Sequence, residues 1–366
     1  MRSSSSLPVV VPIVLIGGLT LLTPLMTPRT VQFGVRIPAE RAGDPAVAGA
    51  RRGYRLGIVA VTVVAVLAAQ FVATGTVARL SGVAIEVAGT FAVYLVARAH
   101  VAAAKHEGRW FEGLKQVAVA DTALRTRPDR FPWEWGLPAA VIVVATVVFG
   151  TIRYPHMPDR LVTHYDFSGH PTSFTDKTFV SAFAPVGVQI AISALIVVLT
   201  RVTVRGKATL DVQDPQAAAR HRRFVAVMAR CLLLFAAAIS LTLALAALTM
   251  WDVIGSTGWS LALLVAPVAL ATIGLVAVFV RVGQGGSRLH LDETEHAGAA
   301  APSGTVNRDD DSLWKAGVFY FNRDDPAVWI QKRFGVGWTV NWARPAALAF
   351  LGGLAAVAIL VPLLIK

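Results

Sequence analysis

Apolar residues gather in eight runs, at 7–26, 56–76, 82–102, 136–152, 179–199, 224–250, 259–280 and 346–365. Most are near the roughly 20 residues that cross about 30 Å of hydrocarbon. Each predicts a helix, because a helix satisfies its own backbone hydrogen bonds where no water is present. The pattern changes in the connections. Residues 161–167 alternate, with Leu161, Thr163, Tyr165 and Phe167 against Val162, His164 and Asp166, which predicts a short strand carrying His164 and Asp166 on one face. Asp324 or Asp325 before Pro326, with Gly335 at the far end, predicts a short helix over 326–334. Asp44-Pro45 starts another, amphipathic and ending at Arg51-Arg52.

The predicted class is an all-α integral membrane protein: a bundle of about eight transmembrane helices with a structured outer loop and a short cytoplasmic aromatic module. Its parts are an N-terminal membrane part (1–135), a helix–loop–helix unit (136–200), two further membrane helices (201–282), a Gly/Ala/Ser-rich flexible linker (283–312), the aromatic module (313–345) and a last helix (346–366). Composition agrees, with 55% hydrophobic residues, 15% charged and a mean hydropathy of +0.60. The first run lacks a small-residue cleavage site and ends at Pro24, Pro28 and Arg29, which predicts a retained helix.

A net charge of +12 raises nucleic acid as a partner, but its placement points to topology. Residues 28–55, 103–135, 201–223 and 281–345 hold most of the Lys and Arg, whereas the intervening ends and loops hold few. Cytoplasmic loops carry that excess, so both termini are expected outside a bacterial cytoplasmic membrane. The expected partners are the lipid bilayer, an external peptide and a cytoplasmic regulator, with no nucleic acid. The single cysteine, Cys231, excludes an intrachain disulfide and a thiolate metal cluster.

Candidate chemistry concentrates in the loop YPHMPDRLVTHYDFSGHPTSFTDK, residues 154–177. Tyr154, His156, Asp159, His164, Asp166, His170 and Lys177 are its candidate ligand-binding residues, joined by Glu86 inside the third run, where an ionisable group is a functional suspect. Imidazole and carboxylate suit zinc, making His156, His164, Asp166 and His170 weak metal candidates, although their spacing matches no standard site. A compact cap held by ring packing and His–Asp hydrogen bonds competes with both readings. In the aromatic module, Trp329, Lys332, Arg333 and Trp338 are candidate partner-facing residues, against the plainer reading of an interfacial aromatic belt. No Walker, H-E-x-x-H or G-x-S-x-G motif occurs. No cofactor and no enzymatic activity are expected.

Tyr154, Pro155, Met157, Pro158, Asp159, Val162, His164, Tyr165, Gly169, Pro171, Phe174 and Lys177 follow a run that joins two transmembrane helices in a bacterial and archaeal membrane domain of unknown function. The stretch 136–200 resembles that domain, which is also found at the N-terminal part of the SDP-toxin immunity proteins. Phe174 stands where that family commonly has tryptophan. Asn322, Asp325, Lys332, Arg333, Gly335, Gly337, Trp338, Thr339 and Asn341 are similar to a second domain of unknown function that accompanies the first. For the immunity proteins the resemblance implies protection against a membrane-active toxin peptide, with signalling to a cytoplasmic repressor. The expected role here is a non-enzymatic sensor or immunity-like protein engaging an external peptide or lipid-like ligand. A small-molecule or ion permease is the alternative, and a His/Asp metal-dependent membrane enzyme the third reading.

Overall fold

The structure is a computed structural model and describes residues 7–71, 76–112, 118–121, 130–165, 170–204, 208–211, 217–255, 258–289, 310–335 and 337–352. Among the described residues seven long helices carry it: α1 (Leu7–Met26), α2 (Pro45–Phe71), α3 (Thr76–Glu107), α4 (Leu137–Arg153), α5 (Phe179–Val204), α6 (Ala217–Met250) and α7 (Gly258–Val282). Six of them, α2 to α7, are long and apolar enough to cross a membrane. The chain is a multi-pass, mostly helical membrane protein. The shorter α1 contains Pro12 and Pro24, and of the expected last helix only the beginning, to residue 352, lies within the described residues.

The chain divides into two compact units. The first comprises 1–121, 208–220 and 280–366. In it α2 and α3 pack along one another and α1 lies against both. Asp44 does start α2: its side chain accepts from the Ala46 N–H at 3.0 Å. The helix does not stop at Arg51-Arg52 as expected but runs unbroken to Phe71. No proline interrupts the chain beyond Arg52, so a nucleated helix propagates straight into the apolar run.

Before α2, β1 (Val31–Gln32) and β2 (Val35–Arg36) form a hairpin across Phe33 and Gly34, both at positive φ. This two-residue turn matches the right-handed strand twist. A Cβ at Gly34 would come within 2.5 Å of the Gly317 carbonyl oxygen, so only glycine fits there. Phe33 tolerates its backbone conformation because its ring is buried, 5.0 Å from Tyr54 and 5.6 Å from Phe334.

The aromatic module folds onto this hairpin within the same unit, and it is built of short strands. The expected helix over 326–334 is absent. Instead β9 (Trp329–Gln331) pairs antiparallel with β10 (Trp338–Val340), after β7 (Trp314–Lys315) and β8 (Phe319–Tyr320), which pair with each other. Asp325 does bind a backbone N–H, that of Ala327 at 2.9 Å, but as an isolated side-chain turn. Beyond it the β-branched and aromatic residues favour a strand, and Gly335 and Gly337, at φ +88 and +99, turn the chain back. Strands β3 (Ala118–Asp121) and β6 (Ala208–Asp211), from two different connections, also pair antiparallel.

The second unit comprises 122–207 and 221–279. Here α4 and α5 pack together and are joined by a hairpin of β4 (Arg160–Tyr165) and β5 (Pro171–Asp176). A reciprocal pair of Thr178 and Ser181 side-chain caps, at 2.8 and 3.0 Å, starts α5 immediately after Lys177. Gln189, buried on α5, donates to the Ser240 carbonyl of α6 at 3.0 Å, the interhelical bond that a mid-span amide favours.

Candidate functional site

The β4–β5 hairpin is the site that sequence singled out, and its frame is built from side chains that face inward. Met157 and Leu161 are buried against Ala182, Val186 and Trp251. The Trp251 indole N–H donates to the Ala182 carbonyl at 2.9 Å. Its ring lies so close to α4 that a Cβ at Gly150 would sit 2.5 Å from it, which fixes that position as glycine. Phe183 and Tyr154 extend the ring cluster at centroid separations of 6.0 and 6.2 Å.

Lys177 ties the beginning of the loop to its end. Its ammonium donates to the Met157 carbonyl at 2.9 Å, lies 3.5 Å from the Asp159 carboxylate and sits 5.8 Å from the Tyr154 ring centre. The Asp159 side chain is fully exposed, so solvent screens that ion pair. The backbone adds a bond from the Lys177 N–H to the Asp159 carbonyl at 2.8 Å. At the far end the Tyr165 hydroxyl donates to the Thr249 carbonyl at 3.4 Å, and burial, with the Asp252 carboxylate second, pushes its phenol above the usual range.

What remains faces solvent. His156, His164 and His170 are exposed, and the strand register shifts on both sides of His164, which pairs with Ser173. Such an irregularity re-aims a side chain. Arg160 lies over the exposed Phe174 ring at 5.3 Å. Asp166 lies outside the described residues, so the expected His164–Asp166 face stays an expectation. No group of three or more His, Cys, Asp or Glu is placed to hold a metal ion among the described residues.

The other candidates belong to the first unit. Glu86 is fully buried: one carboxyl oxygen accepts from Thr62 at 2.9 Å, the other has no hydrogen-bond partner, and Gly17 of α1 packs against it. In the module, Lys332 and Trp329 are exposed and Trp338 is half-buried. Arg333 is buried and turned inward, donating to the Gly34 carbonyl at 3.2 Å and to Asp311, and lying 5.4 Å from the Trp314 ring centre. That burial removes Arg333 from a partner-facing surface.

Asp311, within the segment read as linker, is the residue sequence reasoning missed. It also takes Lys105 of α3 at 2.7 Å and the Arg36 N–H at 3.3 Å, joining three parts of the unit. Burial alone would raise its carboxyl, but Arg333 and Lys105 outweigh it and hold the group below the usual carboxylate range. The run of three aspartates at its position was the available signal. Tyr94 and Arg98 of α3 also belong here: the Tyr94 hydroxyl bonds the carbonyls of Phe33 at 3.2 Å and Ala316 at 3.0 Å, and Arg98 reaches the Phe33 carbonyl at 3.4 Å.

Three of the module's motif residues, Asn322, Asp325 and Asn341, form a buried polar knot with Tyr320. Tyr320 donates to Asp325 at 3.1 Å, Asn322 donates to the Tyr320 oxygen at 3.1 Å, and Asn341 donates to the carbonyls of Asn322 and Asp325 at 2.7 and 3.1 Å.

Comparison with known families decides the domain content. Residues 141–190 match a domain of unknown function (DUF1648), and residues 323–348 match a family of unknown function (DUF5808). The chain carries both domains that its motifs suggested. The DUF1648 match spans most of α4, the hairpin and the first half of α5; the DUF5808 match covers β9, β10 and two residues of the polar knot, Asp325 and Asn341. No curated protein and no solved structure matches the chain.

Proposed function

We propose that the chain is a non-enzymatic bacterial membrane protein of the sensor or immunity-like kind, whose β4–β5 hairpin engages an external peptide or lipid-like ligand. One observation supports this reading above the others. The hairpin's frame is fastened from within by Lys177, Tyr154 and Trp251, while His156, His164 and the Arg160–Phe174 pair are left on its solvent face. Rigid scaffolds that present polar and aromatic groups on a loop are how binding sites are commonly built. On this reading the ligand is recognised by imidazole, guanidinium and an exposed ring, a set that fits an anionic or aromatic peptide. Both termini lie outside, and the module faces the cytoplasm, where Lys332 and Trp329 are the groups available to a regulator.

The test is survival under challenge with membrane-active peptides, comparing wild type, His164→Ala and Phe174→Ala in a sensitive host at matched expression. Protection by the wild type that falls in both variants is the expected result. Equal killing of every strain sinks the proposal.

The permease reading rests on a different observation, the Glu86 carboxyl buried among α1, α2 and α3 with one oxygen unpartnered. Buried ionisable groups in spans commonly mark transport routes. Uptake or proton flux in vesicles that disappears in Glu86→Gln would favour it over the sensor.

A further inference from the structure

We infer that Glu86 and Thr62 form a proton-binding site that α1 closes. With α1 docked, the Glu86 side chain is a neutral carboxylic acid whose proton is bonded to the Thr62 hydroxyl oxygen. The helices concerned, α1, α2 and α3, belong to one unit, and the site lies apart from the hairpin. A proton is also the species that the permease reading would move. Occupancy does not depend on transport; only the step from occupancy to movement rests on that reading.

Nothing near Glu86 neutralises a carboxylate. Among the described residues it forms no ion pair. Helix α1 has no ionisable side chain, α2 has none beyond Arg55, and the nearest on α3 are Arg79 and Tyr94, seven and eight positions away. An isolated carboxylate out of water is costly enough that the group takes up a proton instead.

The bonding pattern points the same way. Glu86 is fully buried, with Oε1 2.9 Å from the Thr62 Oγ1 and Oε2 without a partner. As a carboxylate it would hold one hydrogen bond and leave a charged oxygen unsatisfied, which is the most expensive kind of orphan. As an acid it donates from Oε1 to Thr62, so the same contact runs in the other direction. Oε2 is then an uncharged carbonyl oxygen, whose missing bond costs far less. A proton also needs no cavity, whereas a metal ion or water would. Helix α1 seals the pair: a Cβ at Gly17 would collide with the Thr62 hydroxyl and come within 3.0 Å of the Glu86 Oε1. Exchange of the proton therefore requires α1 to lift.

The experiment is an infrared difference spectrum, wild type minus Glu86→Gln, of the full chain in a neutral detergent at pH 7. The expected result is the carbonyl stretch of a neutral carboxylic acid, present in the wild type and lost in the variant. A carboxylate band in its place overturns the inference, as does an unfolding midpoint that rises with added sodium in the wild type alone, the mark of a metal cation. Thr62→Val, which keeps the shape without the hydroxyl, should retain the acid band at a shifted frequency. An unmoved band overturns the pairing with Thr62. Gly17→Ala keeps α1 from seating and should convert part of the acid to carboxylate at the same pH; an undiminished acid band overturns closure by α1. If that variant does not fold, deuterium uptake by the wild-type band replaces it, and an immediate shift in D2O overturns closure. An acid band without proton flux in vesicles leaves the site standing and removes the permease reading.

Discussion

The β4–β5 hairpin and the 313–345 module are both short β structures in a helical chain, and each carries a motif of a domain of unknown function. They use their motif residues differently. In the module Tyr320, Asn322, Asp325 and Asn341 bond one another in a buried knot, and Arg333 is spent on Asp311 and Gly34. In the hairpin only part of the motif faces inward: Tyr154, Met157 and Lys177 build the frame, and His164 and Phe174 stay exposed. A motif can therefore record folding requirements, contact requirements or both. Exposure after the frame is satisfied separates them.

The sharpest way to break that comparison is Trp251→Ala. It removes the ring packed against Gly150 and the bond to Ala182, and should destabilise the second unit by about 3–5 kcal/mol. Proteolytic sensitivity of the hairpin should rise while the module stays protected; loss of protection in both would mean that the two are not separable.

Asp311→Asn comes next, at roughly 1.5–3 kcal/mol, because two charge-assisted bonds weaken together. Its effect should depend on pH. The folded-state carboxyl lies below its ordinary value, so its stabilisation is complete above about pH 4 and is lost as pH falls through the lower folded value. The gap between the midpoints of wild type and Asp311→Asn should thus be constant near neutrality and close in acid. A gap that widens in acid would contradict the assignment.

Lys177→Ala should cost about 1–2 kcal/mol, mainly through the bond to Met157, since the exposed Asp159 adds little. Lys177→Met, which keeps the stem over Tyr154, should recover only the packing part in the same unfolding assay. Smallest of all, His164→Ala should change stability by less than about 0.5 kcal/mol. A larger stability loss would move His164 from the contact face into the frame.

The membrane class, the approximate places of the seven described helices and the two domain motifs were legible in the sequence, because length and apolarity alone decide what can cross a bilayer. The start of α2 at Asp44-Pro45 was readable for a similarly local reason. The end of the Asp44 helix and the strand at 329–331 were not. Capping chemistry is shared by helices and turns, and neighbouring chain decides between them. The partners of Asp311, the inward turn of Arg333 and the full burial of Glu86 were decided only by tertiary structure. Each joins residues distant in the chain, up to 299 positions for Arg333 and Gly34. Charge at one position does not reveal which remote backbone it will meet. Sequence determined what this protein is made of and where it can reside; packing determined which of its polar residues remain free to act.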